Sequence, residues 1–473
     1  MKNILSIILF IQVSLGLSPG FGQSKIKIAC IGNSITLGRG SYNQPKDAYP
    51  AQLQALLGEK YQVTNYGVSG TTLLRKGNAP YWNTQQYQHA LKSQPDIVFI
   101  KLGTNDTKLI NRGYLNEFVD DYKAFVRSFT QLASQPRVVL LLPVPSFKAD
   151  TAQIWDQIIT RKIIPDIQQV AYDLDLEVID LHSLLIDKAQ YLPDQVHPDQ
   201  RGLAIIANRL AELVKQKQDR EYDVFSKIDS AKKITSFYGY QCADFKYNGR
   251  NCKIVKPKWS DKNHSWIWRA RFWGTEPQVE IALLERGYHI VYCDVAELFG
   301  NEKAVSLWND YYSLLRKAGL AKKGVLEGMS RGGVYVYNWA AENPKKVAFV
   351  YADNPVLDLK SWPGGKGKGP GSATNWETFK KDYQITSEEG VASFANSPID
   401  KIKKIVKGKY PMLHVCGDAD ETVPMEENTL PFEQKVKALG GNITVIHKPN
   451  GHHHPHSLPN PTPIVDLILK ARK

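Results

Sequence analysis

Twice in succession along this chain, short apolar segments of strand length alternate with longer stretches whose apolar residues recur at helical spacing. That double alternation constrains the fold more than any other feature. Strand–helix–strand repeats close most readily into a parallel sheet with helices on both faces. In the first run, segments 25–32, 61–66, 96–102, 137–143 and 177–180 read as strands, and 48–57, 115–132, 154–174 and 202–215 as helices. In the second, 253–257, 265–270, 288–294, 324–327, 347–353, 411–416 and 443–447 read as strands, with helices at 279–286, 302–318, 333–342 and 464–471. Residues 216–229 between the runs are charged and weakly apolar. A chain of 473 residues is too long for one ordinary domain and comfortable for two. The expected fold class is α/β, with doubly wound domains over 24–217 and 233–473 joined by a linker at 218–232.

The N-terminus has its own signature. Met1-Lys2-Asn3 is a short basic start, residues 4–17 are an apolar run, and small residues stand at Gly20 and Gly22. This pattern reads as a signal peptide over 1–22, which implies a secreted or periplasmic protein with no membrane span after cleavage. Five cysteines leave at least one unpaired, and Cys242 with Cys252 is the close pair that an oxidising compartment could bridge. The net charge of +13 comes from scattered lysines and arginines. No basic helix or nucleic-acid module accompanies it, so nucleic acid is not an expected partner. A basic surface does suit an acidic polysaccharide, such as one bearing uronates.

Four short segments of the first run carry chemistry. Ile31-Gly32-Asn33-Ser34 follows the first strand, at the edge where open α/β sheets bind ligands. A serine hydroxyl needs a base, and Asp194-Gln195-Val196-His197 supplies His197 as base with Asp194 to orient it. An oxyanion needs fixed donors, and Gly70 in a tight turn and Asn105 after a buried strand can provide them. In this order and spacing, GNS, GVSG, GTND and DQVH resemble the SGNH (GDSL-like) hydrolase family over residues 25–216. The resemblance implies Ser34 as nucleophile and first oxyanion donor, Gly70 and Asn105 as the other donors, and His197 with Asp194 as base and partner. Asn33 departs from the family, which often has Asp there, at a position outside the catalytic set.

The second run contains Gly328-Met329-Ser330-Arg331-Gly332 between an expected strand and an expected helix. That is the context of a nucleophile elbow, where flanking glycines permit a strained turn that exposes the serine. Ser330 is the expected nucleophile and the Arg331 amide an oxyanion donor, with a second donor somewhere in 269–274. The acid and base should follow in chain order. Gly417-Asp418-Ala419-Asp420 offers Asp420 after one strand, and Gly451-His452-His453-His454-Pro455-His456 follows the next. His453 is the first choice of base and His452 the second; the four close histidines also fit a metal site. These features resemble the α/β-hydrolase family over residues 235–473. Trp362 and Trp376 flank a Gly/Lys-rich loop and could stack on sugar rings.

Both resemblances imply acyl transfer through a serine ester, with no cofactor or metal required. The expectation is a secreted carbohydrate esterase that removes O-acetyl groups, and a second ester such as a methyl ester, from an acylated polysaccharide or oligosaccharide. Two alternatives stay open: a C-terminal domain that only binds glycan, or one that is a peptidase.

Overall fold

A computed structural model describes residues 24–471; the expected signal peptide lies outside them. The first half is built on a wholly parallel sheet, with strands β1 (Ile26–Gly32), β2 (Tyr61–Gly67), β3 (Ile97–Lys101), β4 (Arg137–Leu141) and β5 (Glu177–Ile179) in the order β2-β1-β3-β4-β5. Helices cover both faces. One face packs on Tyr49–Leu57 and Gln200–Lys215, and the other on Phe118–Thr130 and Ile164–Leu174. Register matters more than strand count. Gly32 pairs with Gly67 on one side and Lys101 on the other, so three strands end at one level.

Residues 216–229 do not hang free. β6 (Gln218–Asp219) pairs with β10 (Ser260–Asp261), and a 3-10 turn over Val224–Lys227 buries Val224 and Phe225 in the second core. The second half is a nine-stranded mixed sheet. Three strands absent from the parallel pattern, or only half visible in it, form its edge: β7 (Lys232–Phe237), β8 (Tyr240–Tyr247) and β9 (Arg250–Val255), an antiparallel meander. β11 (Trp266–Arg269), β12 (His289–Cys293), β13 (Gly324–Met329), β14 (Val347–Asp353), β15 (Met412–Gly417) and β16 (Ile443–Lys448) complete the order β16-β15-β14-β13-β11-β12-β9-β8-β7. From β12 to β16 every neighbouring pair is parallel. The meander is hard to foresee because β7 is half exposed and weakly apolar and β8 reads as loop, so only the 253–257 part of β9 stands out as strand.

The halves share one core. A single apolar cluster runs from Val170 and Ala171 through Phe237, Tyr240 and Ile290 to Ile464 and Ile468. Inside this contact Arg209 meets Glu285 at 2.9 Å, with side chains 3% and 4% exposed, and Glu285 also accepts the Asp180 amide at 2.7 Å. Tyr240 donates its hydroxyl to the Val178 carbonyl at 3.2 Å. No helix among the described residues is long and apolar enough to cross a membrane.

The cysteine expectation needs correction. All five cysteines are free and buried. In the β8–β9 hairpin Cys242 lies opposite Val255 and Cys252 opposite Phe245. The two side chains fall into different cores, on opposite faces of the sheet, so no bridge can join them. The two loop tryptophans are also not free platforms. Trp362 stacks on Phe299 with ring centroids 6.3 Å apart and Trp376 on Phe379 at 5.0 Å, both packed against the core.

Candidate active sites

At the first site, strand register brings the motifs together. Ser34 opens a short helix, Ser34–Leu37, capped by Asn33, whose side chain accepts the Ile35 amide at 3.3 Å. The Val68 amide donates to the Gly32 carbonyl at 2.9 Å, which ties the GVSG turn to the serine turn. A side chain on Gly67 would meet the Leu37 nitrogen at 2.2 Å, so the two backbones can approach only because that position is glycine. Gly70 has φ +81°, the left-handed region, and open space beside its Cα. Asn105 gives one amide hydrogen to the Thr71 carbonyl at 3.0 Å, next to Gly70, and keeps a second to donate elsewhere.

The serine is in contact with its expected base. Ser34 Oγ lies 2.8 Å from His197 Nε2, and His197 Nδ1 lies 2.6 Å from Asp194 Oδ2. The other Asp194 oxygen accepts the amides of Val196 and His197 at 3.0 and 2.7 Å, which fixes the carboxylate below the ring. Burial pushes the Asp194 carboxyl up, but these hydrogen bonds outweigh it and hold the group below the usual carboxylate range. Burial also pulls the His197 imidazole below its ordinary value, against the opposing pull of Asp194, and the nearby cations Arg39 and Lys101 add to the fall.

Two groups here escaped the motif reading. Asp106 is fully buried and accepts the amides of Leu73 and Leu74 at 3.1 and 2.8 Å, so it anchors the loop that follows Gly70. Burial raises its carboxyl to about 6. Lys101 is also fully buried, and its Nζ has no hydrogen-bond partner. Burial brings that amine down to about 7. A polar residue ending a buried strand was the available signal for Lys101.

The second site has the elbow geometry. Ser330 sits between β13 and the helix Gly332–Glu342 with φ +50°, a region that non-glycine residues rarely occupy. Its amide donates to the Asp353 carbonyl at 2.8 Å and its carbonyl accepts from Gly333 and Val356, which holds the strained residue in place. A side chain on Gly328 would stand 2.7 Å from the Gly332 carbonyl carbon, so the turn closes only over glycine. The Arg331 amide lies at the helix N-terminus, where amides lack intrahelical acceptors. The Arg331 guanidinium turns aside, donates to Asn375 at 2.7 Å and covers Phe299. Ala270 abuts the elbow, but its own amide is engaged by the Glu327 carbonyl at 2.9 Å, so it is not the second oxyanion donor expected in 269–274.

Ser330 Oγ lies 2.9 Å from His453 Nε2, and His453 Nδ1 lies 2.7 Å from Asp420 Oδ2. The remaining Asp420 oxygen takes the amides of Thr422 and Val423, both at 2.9 Å. This mirrors the arrangement around Asp194. His452 turns away to the Ala419 carbonyl at 3.1 Å, and Asp418 pairs with His447 at 2.7 Å. Asn354 was not foreseen. It accepts the Gly417 amide at 2.8 Å and donates to the His453 carbonyl at 2.8 Å, which joins the acid-bearing strand to the histidine loop. Asp353 was also missed; its carboxylate takes His456 Nδ1 and the Ser457 amide, both at 2.8 Å.

Comparison with known proteins finds a different family in each half of the chain. Residues 30–205 match the model of the GDSL-like Lipase/Acylhydrolase family. Residues 313–466 match that of the Prolyl oligopeptidase family. An acetylxylan esterase of Xylanibacter ruminicola is 39% identical over 215 residues, a match that spans 42% of this chain and 45% of that protein. This chain thus covers less than half the length of that relative. Among solved structures, the acylaminoacyl peptidase of Pyrococcus horikoshii is similar at 18% identity and TM-score 0.35, covering 49% of this chain and 39% of its own. Dipeptidyl peptidase 4 of Porphyromonas gingivalis is similar at 14% identity and TM-score 0.38, covering 51% and 35% respectively.

Proposed function

We propose that this chain, GDSL-like in its N-terminal half and α/β-hydrolase-like in its C-terminal half, is a secreted esterase with two serine sites that deacylate polysaccharide. The observation that carries the reading is the presence of two unconnected Ser–His–Asp hydrogen-bonded chains in one polypeptide, Ser34–His197–Asp194 and Ser330–His453–Asp420. At each, the histidine Nε2 accepts the serine proton as Oγ attacks the ester carbonyl. The aspartate holds Nδ1–H and stabilises the imidazolium that forms. The imidazolium then protonates the departing sugar oxygen, and water repeats the sequence to release the acid. At the first site the Ser34 and Gly70 amides and the Asn105 side chain stabilise the oxyanion; at the second the Arg331 amide does so. The similarity to a protein named acetylxylan esterase supports an O-acetyl group as the substrate of the first site. The short basic start and the apolar run that follows it, ahead of residue 24, support export.

A second reading applies to the C-terminal half alone. Its match to the prolyl oligopeptidase family favours amide substrates. Fluorophosphonate labelling with peptide mapping tests both sites at once, and label on Ser34 and on Ser330 is expected. Acetylated and methyl-esterified glycans and peptidyl anilides, each assayed with Ser34→Ala and Ser330→Ala, then assign the substrates. Loss of every activity in Ser34→Ala alone would remove the second site from the proposal. Anilide cleavage abolished by Ser330→Ala would make that site a peptidase.

A further inference from the structure

The four-histidine run holds more than the proposed base needs. The rings of His453, His454 and His456 form a cluster with centroids 4.9, 5.0 and 4.6 Å apart. Each contributes one ring nitrogen to a set whose members all lie within 4.8 Å of one another. Two of the rings are already oriented for a metal. His453 Nδ1 is held by Asp420 at 2.7 Å and His456 Nδ1 by Asp353 at 2.8 Å, with both carboxylates buried. A carboxylate on Nδ1 fixes the tautomer in which Nε2 is the free donor atom and raises its basicity, the arrangement that commonly supports a metal-binding histidine. His454 stands exposed against the other two, free to adjust toward the spacing of about 3.4 Å that two nitrogens adopt in a tetrahedral zinc sphere. Glu276, whose carboxylate accepts the His456 amide at 2.6 Å, adds a negative charge to the same loop.

We infer that His453, His454 and His456 form a site for a divalent transition ion of the Zn²⁺ class, and that filling it switches off the Ser330 centre. Three neutral imidazoles select Zn²⁺ and its neighbours over Mg²⁺ or Ca²⁺, which prefer oxygen. The switch follows from one lone pair. His453 Nε2 accepts the Ser330 hydroxyl at 2.9 Å, and the same lone pair cannot also bind a cation. The metal therefore inhibits here; it does not assist catalysis. The first site has no such cluster among the described residues and keeps its base. The inhibitory half of the inference rests on the proposed role of Ser330, whereas the metal site itself does not.

Calorimetric titration of EDTA-treated, dialysed full-length protein with Zn²⁺ tests the site, and fluorophosphonate labelling at the same Zn²⁺ concentrations tests the switch. The informative variant is His454→Ala, which removes an exposed ligand outside the proposed triad. Its Zn²⁺ affinity should fall by about 100-fold or more, since even outer-shell changes cost 10–100-fold. In the unaltered protein Ser330 labelling should fade as Zn²⁺ fills the site, Ser34 labelling should not change, and EDTA should restore Ser330. In His454→Ala, Ser330 should label normally and resist Zn²⁺. Absence of Zn²⁺ binding, or equal binding by His454→Ala, overturns the site. Binding that leaves Ser330 labelling intact overturns the switch. Failure of Ser330 to label without metal would sink the proposed second centre, while calorimetry would still decide the metal site.

Discussion

The acids of the two proposed triads sit in different surroundings, and this difference predicts a measurable asymmetry. The Asp194 side chain is 48% exposed, whereas that of Asp420 is 0% exposed. Each must stabilise a positive imidazolium in the transition state. The shielded pair, 2.7 Å apart at an effective dielectric of about 20, gains about 6 kcal/mol, while the pair with the half-exposed acid, 2.6 Å apart at an intermediate dielectric of about 40, gains about 3 kcal/mol. At about 1.4 kcal/mol per decade these are roughly four and two decades of rate. Asparagine is the right probe, because its carbonyl can still accept the two loop amides that each aspartate now holds. Both replacements also disturb the tautomer equally, so the ratio of their losses isolates the charge. Asp420→Asn should therefore slow Ser330 by about a hundredfold more than Asp194→Asn slows Ser34. Fluorophosphonate labelling rates at both serines, read by mass spectrometry from one tube, supply the ratio. Losses within about tenfold of each other, or in the reverse order, would refute the argument from burial.

Other consequences follow from the same structure. Since burial lowers the His197 pKa, the base stays neutral further into acid, and the acid limb of Ser34 reactivity should lie below the ordinary histidine value of about 6.5; a pH profile in Ser330→Ala measures it, and a limb above that value contradicts the environment described. Gly328→Ala should abolish Ser330 labelling while sparing Ser34, because the added carbon meets the elbow backbone at 2.7 Å. Glu285→Ala removes the buried partner of Arg209, leaving it only the half-exposed Glu212 at 3.1 Å, and should cost about 3 kcal/mol in urea unfolding. Denatured, unreduced protein should present all five cysteines to a thiol reagent, and a value of three would restore a disulfide.

The chemistry-bearing parts were the most legible in the sequence. A nucleophile turn requires a strand before it, a helix after it and glycines around it, and all of these are local features that leave a written pattern. Ser34 and Ser330 stand out on that basis, Asp420 and His453 by their chain order after the elbow, and hydrogen bonds link each to its expected neighbour in the structure. What escaped depends on long-range pairing. The β7–β8–β9 meander has half-exposed strands whose pattern is too weak to separate from loop. The sides taken by Cys242 and Cys252 follow from a register that only the folded hairpin sets. Asp353 and Asn354 look like strand-end residues until β14 stands beside β15 and the histidine loop. The long helix expected at 154–174 is interrupted by a π turn at Ile159–Ile163, just before Pro165, whose ring removes a helix donor.

The shared core has a kinetic consequence. Two binding modules on a flexible tether raise each other's effective concentration by an amount that tether length tunes. In this chain the segment between the halves does not set their spacing. Packing of Tyr240 on Val178 and of Arg209 on Glu285 fixes it instead. The two serines therefore stand in a constant orientation. Under the proposed function, a polymer released by one serine reaches the other only by sliding or rebinding, so the spacing of acyl groups along it, and not the length of residues 218–232, would set how often both are removed in one encounter.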